Sequence, residues 1–522
     1  MQFTSVSFLL FAALLIAVYY LIPKKGQWIL LLAAGYVFYC FAGLQYVAFL
    51  VFTTLTTYLA TLFMAQRLET QDAYIAEHKA DLSREERKAY KAGIKRGNRV
   101  WLIGCLVINF AILAVCKACL IEPIRSVVNG GTLSFLTLGL PMGMSFYMFQ
   151  SMGYVADVYR GTVKAEKNVF KLALFVSFFP QLVQGPISKF SQLAPTLYEP
   201  HAFDGKRVSF GLQRMLWGFF KKMVVADRIA AAIGALKGEE YTGVAFVILT
   251  VFYAVQIYGD FTGGIDIAIG LAETLGIVLP ENFIRPYFSK NIAEYWRRWH
   301  ISLGEWMKDY IFYPLSVCQP MLNLSKTARK KWGNFGKRLP VYVASVATWL
   351  VTGIWHGFEL HFVVWGMMNC FFIVLSEELV PAYEAFHQRF HFKDKAWYGV
   401  FEMLRMFFLM NLIRASDLFV DVGDYFRRLF SIFYTFNFEV LWNGTLLNLG
   451  LSGLDYAVLG GSIALLFGVS VYEERHGSVR ERLYCAPRVL RYALIIALVF
   501  VVLLMGRYGV GYDAGNFIYN QF

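Results

Sequence analysis

The chain carries eight histidines. His78, His201, His387, His391 and His476 lie in hydrophilic stretches that solvate an imidazole. His300, His356 and His361 stand in apolar sequence, where an ionisable side chain is costly and marks a functional candidate. His300 belongs to "EYWRRWHISLGEWMKDYIF" (294–312). Read at helical period, Trp296, Trp299, His300, Leu303, Trp306, Met307 and Tyr310 share one face, and Arg297, Arg298, Ser302, Glu305 and Asp309 the other. Such a helix is expected at the membrane interface, or dipping into the bilayer under a cover of other protein. His356 ends the span in "VASVATWLVTGIWHGFELHFVVWG" (343–366). Ser345, Thr348, Thr352 and His356 recur at helical spacing, which predicts a polar stripe facing inward. His361 opens the next span and is placed at the headgroups.

Asp260 and Asp266 lie in "YGDFTGGIDIAIG" (258–270), another polar cluster in apolar sequence. Its glycines permit close approach or a broken helix lining a cavity. Asp260 is expected to orient a histidine or to pair with Arg297 or Arg298. Three chemistries compete for these residues. Zinc hydrolysis wants two histidines four apart around a glutamate, whereas "HGFELH" sets His356 and His361 five apart, so no metal site is assigned. A serine or thiol nucleophile needs a base and an elbow such as G-x-S-x-G, which is not found. General-base chemistry needs only a neutral imidazole beside a hydroxyl acceptor and an activated acyl donor. That is the simplest use of His356.

The elements that must position these groups are membrane helices. Of 522 residues, 57% are hydrophobic and 16% charged, a balance outside the range of ordinary soluble domains. About eleven to thirteen apolar segments are long enough to enter the hydrocarbon core, at roughly 20 residues per helix. The 243–275 stretch reads as one long helix with a break, or as two. Lys24 and Lys25 after the first span, and nine Lys or Arg in 66–99, place 66–99 on the cytoplasmic side. The net charge of +13 is read as orientation charge and attraction to anionic lipid headgroups, with no nucleic acid partner. A second basic run, 324–340, has six Lys or Arg and no acid. It anchors the chain, or it receives a phosphate-bearing or acidic donor, with Lys330 and Lys331 at its centre. The seven cysteines form no paired framework, and Cys116 and Cys119 are read as packing residues.

The stretch "RPYFSKNIAEYWRRWHISLGEWMKDYIFYPL" (285–315), with His356 of "TGIWHG" following 56 residues after His300, resembles the membrane-bound O-acyltransferase (MBOAT) family. "PMGMSFYMFQSMGYVADVYRG", "FVSFFPQLVQGPISKF" and "YGDFTGGIDIAIG" are similar to further segments of its bacterial branch, which includes alginate O-acetylation and teichoic-acid D-alanylation proteins. "IRASD" (413–417) and the ending "FIYNQF" look like the longer, polysaccharide-acetylating members. The chain departs from relatives at Gly264, where an aromatic is usual, and in "SVCQPMLNLSKTARKKW", which replaces a glycine- and arginine-rich turn.

The resemblance implies an all-α polytopic fold: a ring of tilted transmembrane helices, with re-entrant or interfacial helices, around a central tunnel. Residues 1–378 would form the core, with the motifs in about 140–375, and 379–522 a C-terminal loop and additional transmembrane helices. It implies His356 as catalytic, His300 as the second histidine, and Asp260, Trp296, Trp299, Trp355 and Asn369 as tunnel-lining residues. Arg297, Arg298, Lys330 and Lys331 would dock the donor. No cofactor is tightly bound; the co-substrate is an acyl thioester, acetyl-CoA or an acyl carrier protein. Further partners are a periplasmic SGNH-type acyltransferase or polymer secretion machinery, and the setting is the inner membrane. The alternatives are D-alanyl transfer to teichoic acid, a transporter or channel, and a scaffold of a secretion complex.

Overall fold

A computed structural model describes residues 1–119, 141–238 and 240–509. The described residues are helical apart from loops, with one isolated bridge between Phe283 and Trp299. Eight described helices are long and apolar enough to cross a membrane. The chain divides into two compact units, Met1–Gly211 with Leu271–Pro280, and Leu212–Gly270 with Glu281–Phe522.

In the first unit the soluble-looking stretch 66–99 is the polar end of two long helices, Val47–Glu77 and Arg84–Ala118. Ser83 caps the second: its hydroxyl accepts from the Glu86 amide at 3.2 Å, and the Glu86 carboxylate accepts from the Ser83 amide at 2.8 Å. Asn98 Nδ2 donates to the Met64 carbonyl at 3.2 Å and ties the pair together. Residues 120–140 lie outside the described residues, and a helix then runs Met144–Arg160. Two short helices follow, Val169–Ser177 and Phe179–Gln184, broken where Pro180 withholds an amide proton.

In the second unit the break expected in 243–275 is absent, because Val244–Leu275 is one helix. Its glycines serve packing instead. A Cβ on Gly259 would sit 2.8 Å from the Lys221 carbonyl oxygen, and one on Gly263 2.9 Å from that of Gly218. The facing segment Phe220–Ala226 is a π-helical turn carrying Lys221 and Lys222, both buried. Two ammonium groups are tolerated there only because carboxylates meet them. Lys222 Nζ lies 2.6 Å from Asp260 and 2.7 Å from Asp227. Lys221 Nζ lies 2.5 Å from Asp266, which also accepts from Arg214 at 2.9 Å.

The helix Gln319–His356 doubles back at Gly333, whose φ of 55° and ψ of −129° a side chain would resist. Ser325 Oγ donates to the Lys337 carbonyl at 3.2 Å across this fold-back. The basic run is therefore a helical turn and not a loose loop. Beyond it the chain climbs to His356 and returns as Leu360–Glu378. Glycines let the two helices touch near His356: a Cβ on Gly353 would lie 2.6 Å from the Phe362 carbonyl oxygen, and one on Gly366 2.5 Å from that of Trp349. At the other end Arg338 and Glu378 form an ion pair at 2.8 Å.

Candidate active site

His356 is the last residue of its helix, which ends at an extended Gly357. Its ring is buried, edge-on to Trp365 at 4.9 Å and beside Trp355 at 4.8 Å. Trp365 lies one helical turn beyond His361, which is itself buried against Phe362 at 4.0 Å.

The single amphipathic helix expected over 294–312 is broken at the histidine. Ile292–Arg298 and Ile301–Met307 are separate, Trp299 is extended, and His300 takes left-handed backbone angles of 46° and 52°. The break survives because a passing segment collects the released hydrogen bonds. The Ile284 amide donates to the Arg298 carbonyl and the Ile301 amide to the Asn282 carbonyl, each at 3.0 Å. The faces counted on a continuous helix therefore do not hold. Ser302, placed on the polar face, is buried, as is Tyr295.

At the break His300 is only 2% exposed. Phe261 meets its ring edge-on at 4.8 Å, and Trp355 lies 6.3 Å away. The two histidines, 56 residues apart in sequence, thus converge on one indole. Asn282 Oδ1 accepts from the Ser302 amide at 3.0 Å and from its hydroxyl at 2.9 Å, which fixes the carboxamide orientation. His300 Nδ1, 3.3 Å from the same oxygen, must then carry the proton, so Nε2 is the accepting nitrogen. Burial, and secondarily the charge of Arg414, push the His300 pKa down to about 3. A left-handed residue and a costly buried imidazole in one place mark a built site.

Most of the expected lining residues join this cluster. Trp296 packs on Trp349 at 4.8 Å and Trp365 at 5.9 Å. Trp299 stacks on Tyr295 at 5.8 Å. Asn369 is buried one turn from Trp365 and donates to its carbonyl at 2.8 Å. Asp260 is held by Lys222 at 2.6 Å. Arg298 is engaged by Glu294 at 2.8 Å and Glu474 at 3.0 Å, while Arg297 is exposed. Lys330 and Lys331 are exposed, just before the Gly333 fold-back of the same helix that ends at His356. Sequence reasoning gave no role to Trp365, Asn282, Phe261 or Arg414. A lone arginine closing an apolar span was the one readable signal among them.

Comparison with known proteins places this geometry in a family. The model of the membrane-bound O-acyltransferase family, MBOAT, matches residues 164–415, an interval that holds every residue of the cluster. The chain is 30% identical over 394 residues to "Probable alginate O-acetylase AlgI" of Azotobacter vinelandii, covering 73% of this chain and 69% of that protein. The protein of the same name from Pseudomonas fluorescens is 32% identical, with 73% and 67% covered. "Peptidoglycan O-acetyltransferase" of Helicobacter pylori is 30% identical, with 61% and 63% covered. The chain belongs to the membrane-bound O-acyltransferase family. It is a multi-pass membrane O-acyltransferase, and the aromatic cage around His300 and His356 is the candidate active site of this MBOAT enzyme.

Proposed function

We propose that the enzyme moves an acyl group, acetyl foremost, from a cytoplasmic thioester to a hydroxyl of an exported polysaccharide or of its secreted acyltransferase partner, in the inner membrane. The observation that carries this reading is the convergence of two buried imidazoles on Trp355, in a site lined by aromatic rings. The names of the relatives, alginate and peptidoglycan O-acetylating proteins, support acetyl and polysaccharide as the classes of group and acceptor.

The roles divide on the surroundings of His300. An imidazole pushed to about 3 is too weak a base to take a proton from an alcohol near neutral pH, so His300 orients the acceptor by accepting its hydroxyl at Nε2. His356 is then the base. It removes the hydroxyl proton as the oxygen attacks the thioester carbon. The tetrahedral intermediate collapses with cleavage of the C–S bond, and the departing sulfur takes the proton back from His356. The donor is acetyl-CoA or an acyl carrier protein, and no cofactor need be resident. Lys330 and Lys331, on the exposed basic turn at the end of the helix opposite His356, suit donor phosphates or an acidic carrier surface.

The test is His356→Ala in the full chain, with O-acetyl content of the exported polymer measured at matched protein level. Acylation should fall by about 10²–10⁴-fold, the usual contribution of a positioned base. Retention above about a tenth of wild type contradicts the assignment.

A further inference from the structure

Arg414 closes the span Ala396–Arg414 and is 4% exposed. An arginine buried that deeply, at the end of a membrane helix, is retained only where its charge is used. Asp417 lies 3.9 Å from it, and the Tyr295 side chain hydrogen-bonds it. Two indole faces flank it. The guanidinium carbon stands 4.7 Å from the ring centre of Trp299 and 5.7 Å from that of Trp365.

Those two indoles belong to different walls of the site. Trp299 precedes His300 in the extended joint between two short helices and touches Phe261 at 6.3 Å, the ring that also meets His300. Trp365 projects from Leu360–Glu378 and meets His356 at 4.9 Å. No short covalent path joins them. A planar cation can address an aromatic face on either side, which a rigid hydrocarbon of equal size does without charge and a carboxylate cannot do at all.

We propose that Arg414 is a positioning residue of the acyl transfer, a buried cation that holds the Trp299 wall bearing His300 against the Trp365 wall bearing His356. Its charge also opposes protonation of His300, which keeps that ring a hydrogen-bond acceptor. Arg414 acts through the indoles and is not assigned a contact with the reacting atoms. The inference rests on the assignment of His356 as base.

The experiment compares Arg414→Gln and Arg414→Lys in the full chain, in cells that export the polymer, with O-acetyl content divided by the amount of enzyme in the membrane. Lysine keeps a cation that can approach an aromatic face, whereas glutamine keeps polar bulk without charge. Arg414→Gln should accumulate normally and lose at least tenfold in acylation per molecule, and Arg414→Lys should recover a substantial part of that loss. A purely structural arginine would lower accumulation and leave activity per molecule unchanged. Arg414→Gln within threefold of wild type per molecule, or Arg414→Lys no better than Arg414→Gln, overturns the proposal. Where Arg414→Gln does not accumulate, Arg414→Lys decides alone: normal accumulation with at least a tenth of wild-type activity supports it, and normal accumulation without activity overturns it. His356→Ala measured alongside separates the two claims. Loss in His356→Ala with full activity in Arg414→Gln removes only the role of Arg414, whereas full activity in His356→Ala removes the base.

Discussion

Replacing Gly366 by alanine tests whether the helix crossing beside His356 sets the geometry of the site. The added Cβ would lie 2.5 Å from the backbone oxygen of Trp349, where real Cβ atoms stay at least 3.0 Å from their neighbours. The obstacle is main chain and cannot rotate away, so the two helices must part by about half an ångström. Overpacking of this kind costs about 1–3 kcal/mol. Alanine simultaneously gains up to about 1 kcal/mol of helix propensity over glycine, which masks part of the loss. Gly460 supplies the control, because a Cβ there meets nothing within 4 Å and feels the propensity gain alone. Unfolding of the purified full chain in detergent should therefore show Gly366→Ala below Gly460→Ala by about 1–3 kcal/mol. Trp365 adjoins the crossing and contacts His356, so the parting moves one wall of the cage. A misplacement of 1 Å can cost about 10²-fold in rate, and half of that should lower acylation per folded molecule by roughly tenfold. Equal stability of the two variants, with Gly366→Ala acylating within twofold of wild type, refutes the reasoning.

His300 makes stability depend on pH with a defined sign. Its folded pKa of about 3 lies below the unfolded value of about 6.5, so the unfolded chain binds the extra proton between these limits. The neutral ring carries no penalty above pH 6.5, and stability falls as pH drops toward 3, by about 2 kcal/mol at pH 5. Detergent unfolding at pH 7.5 and pH 5 should show that loss in wild type and a smaller one in His300→Phe; equal losses refute it. Lys222→Met leaves Asp260 and Asp227 without their shared lysine and should destabilise by about 3–5 kcal/mol, with Asp260→Asn in the same chain restoring part of the level in the membrane. Changing Lys330 and Lys331 together to Gln should raise the apparent KM for acetyl-CoA in inverted vesicles more than it lowers kcat, since the attraction acts equally on ground and transition states. A pure kcat effect would contradict a docking role.

Much of the site was legible because membrane sequences advertise polar exceptions. His300 and His356 stood out against apolar surroundings, and the tryptophans beside them were read as its walls; both groups do share the cage. What failed was the inference that ran through helical periodicity over 294–312. The helical count over 294–312 assumed continuity, whereas Asn282 and Ile284, distant in helical register, supply the hydrogen bonds that allow the chain to break at His300. For Asp260 a histidine, or Arg297 or Arg298 of the tryptophan-rich motif, was expected, whereas a lysine of an apolar span holds it. Lys221 and Lys222 sit in "FKKMV", where a pair of cations reads as the end of a helix and not as the centre of an ion network.

By itself the sequence determined that this chain crosses a membrane as helices, and which imidazoles are too costly to be incidental. Both follow from transfer free energies, which depend on composition and local order alone. Tertiary structure alone decided that two histidines 56 residues apart meet on Trp355, that Lys222 neutralises Asp260, and that Arg414 stands between the faces of Trp299 and Trp365. Those are choices among partners of equal chemical merit. They are settled by which backbones can approach, and here that approach depends on glycines at 259, 263, 353 and 366, whose missing Cβ atoms give no local signal of the neighbour they admit.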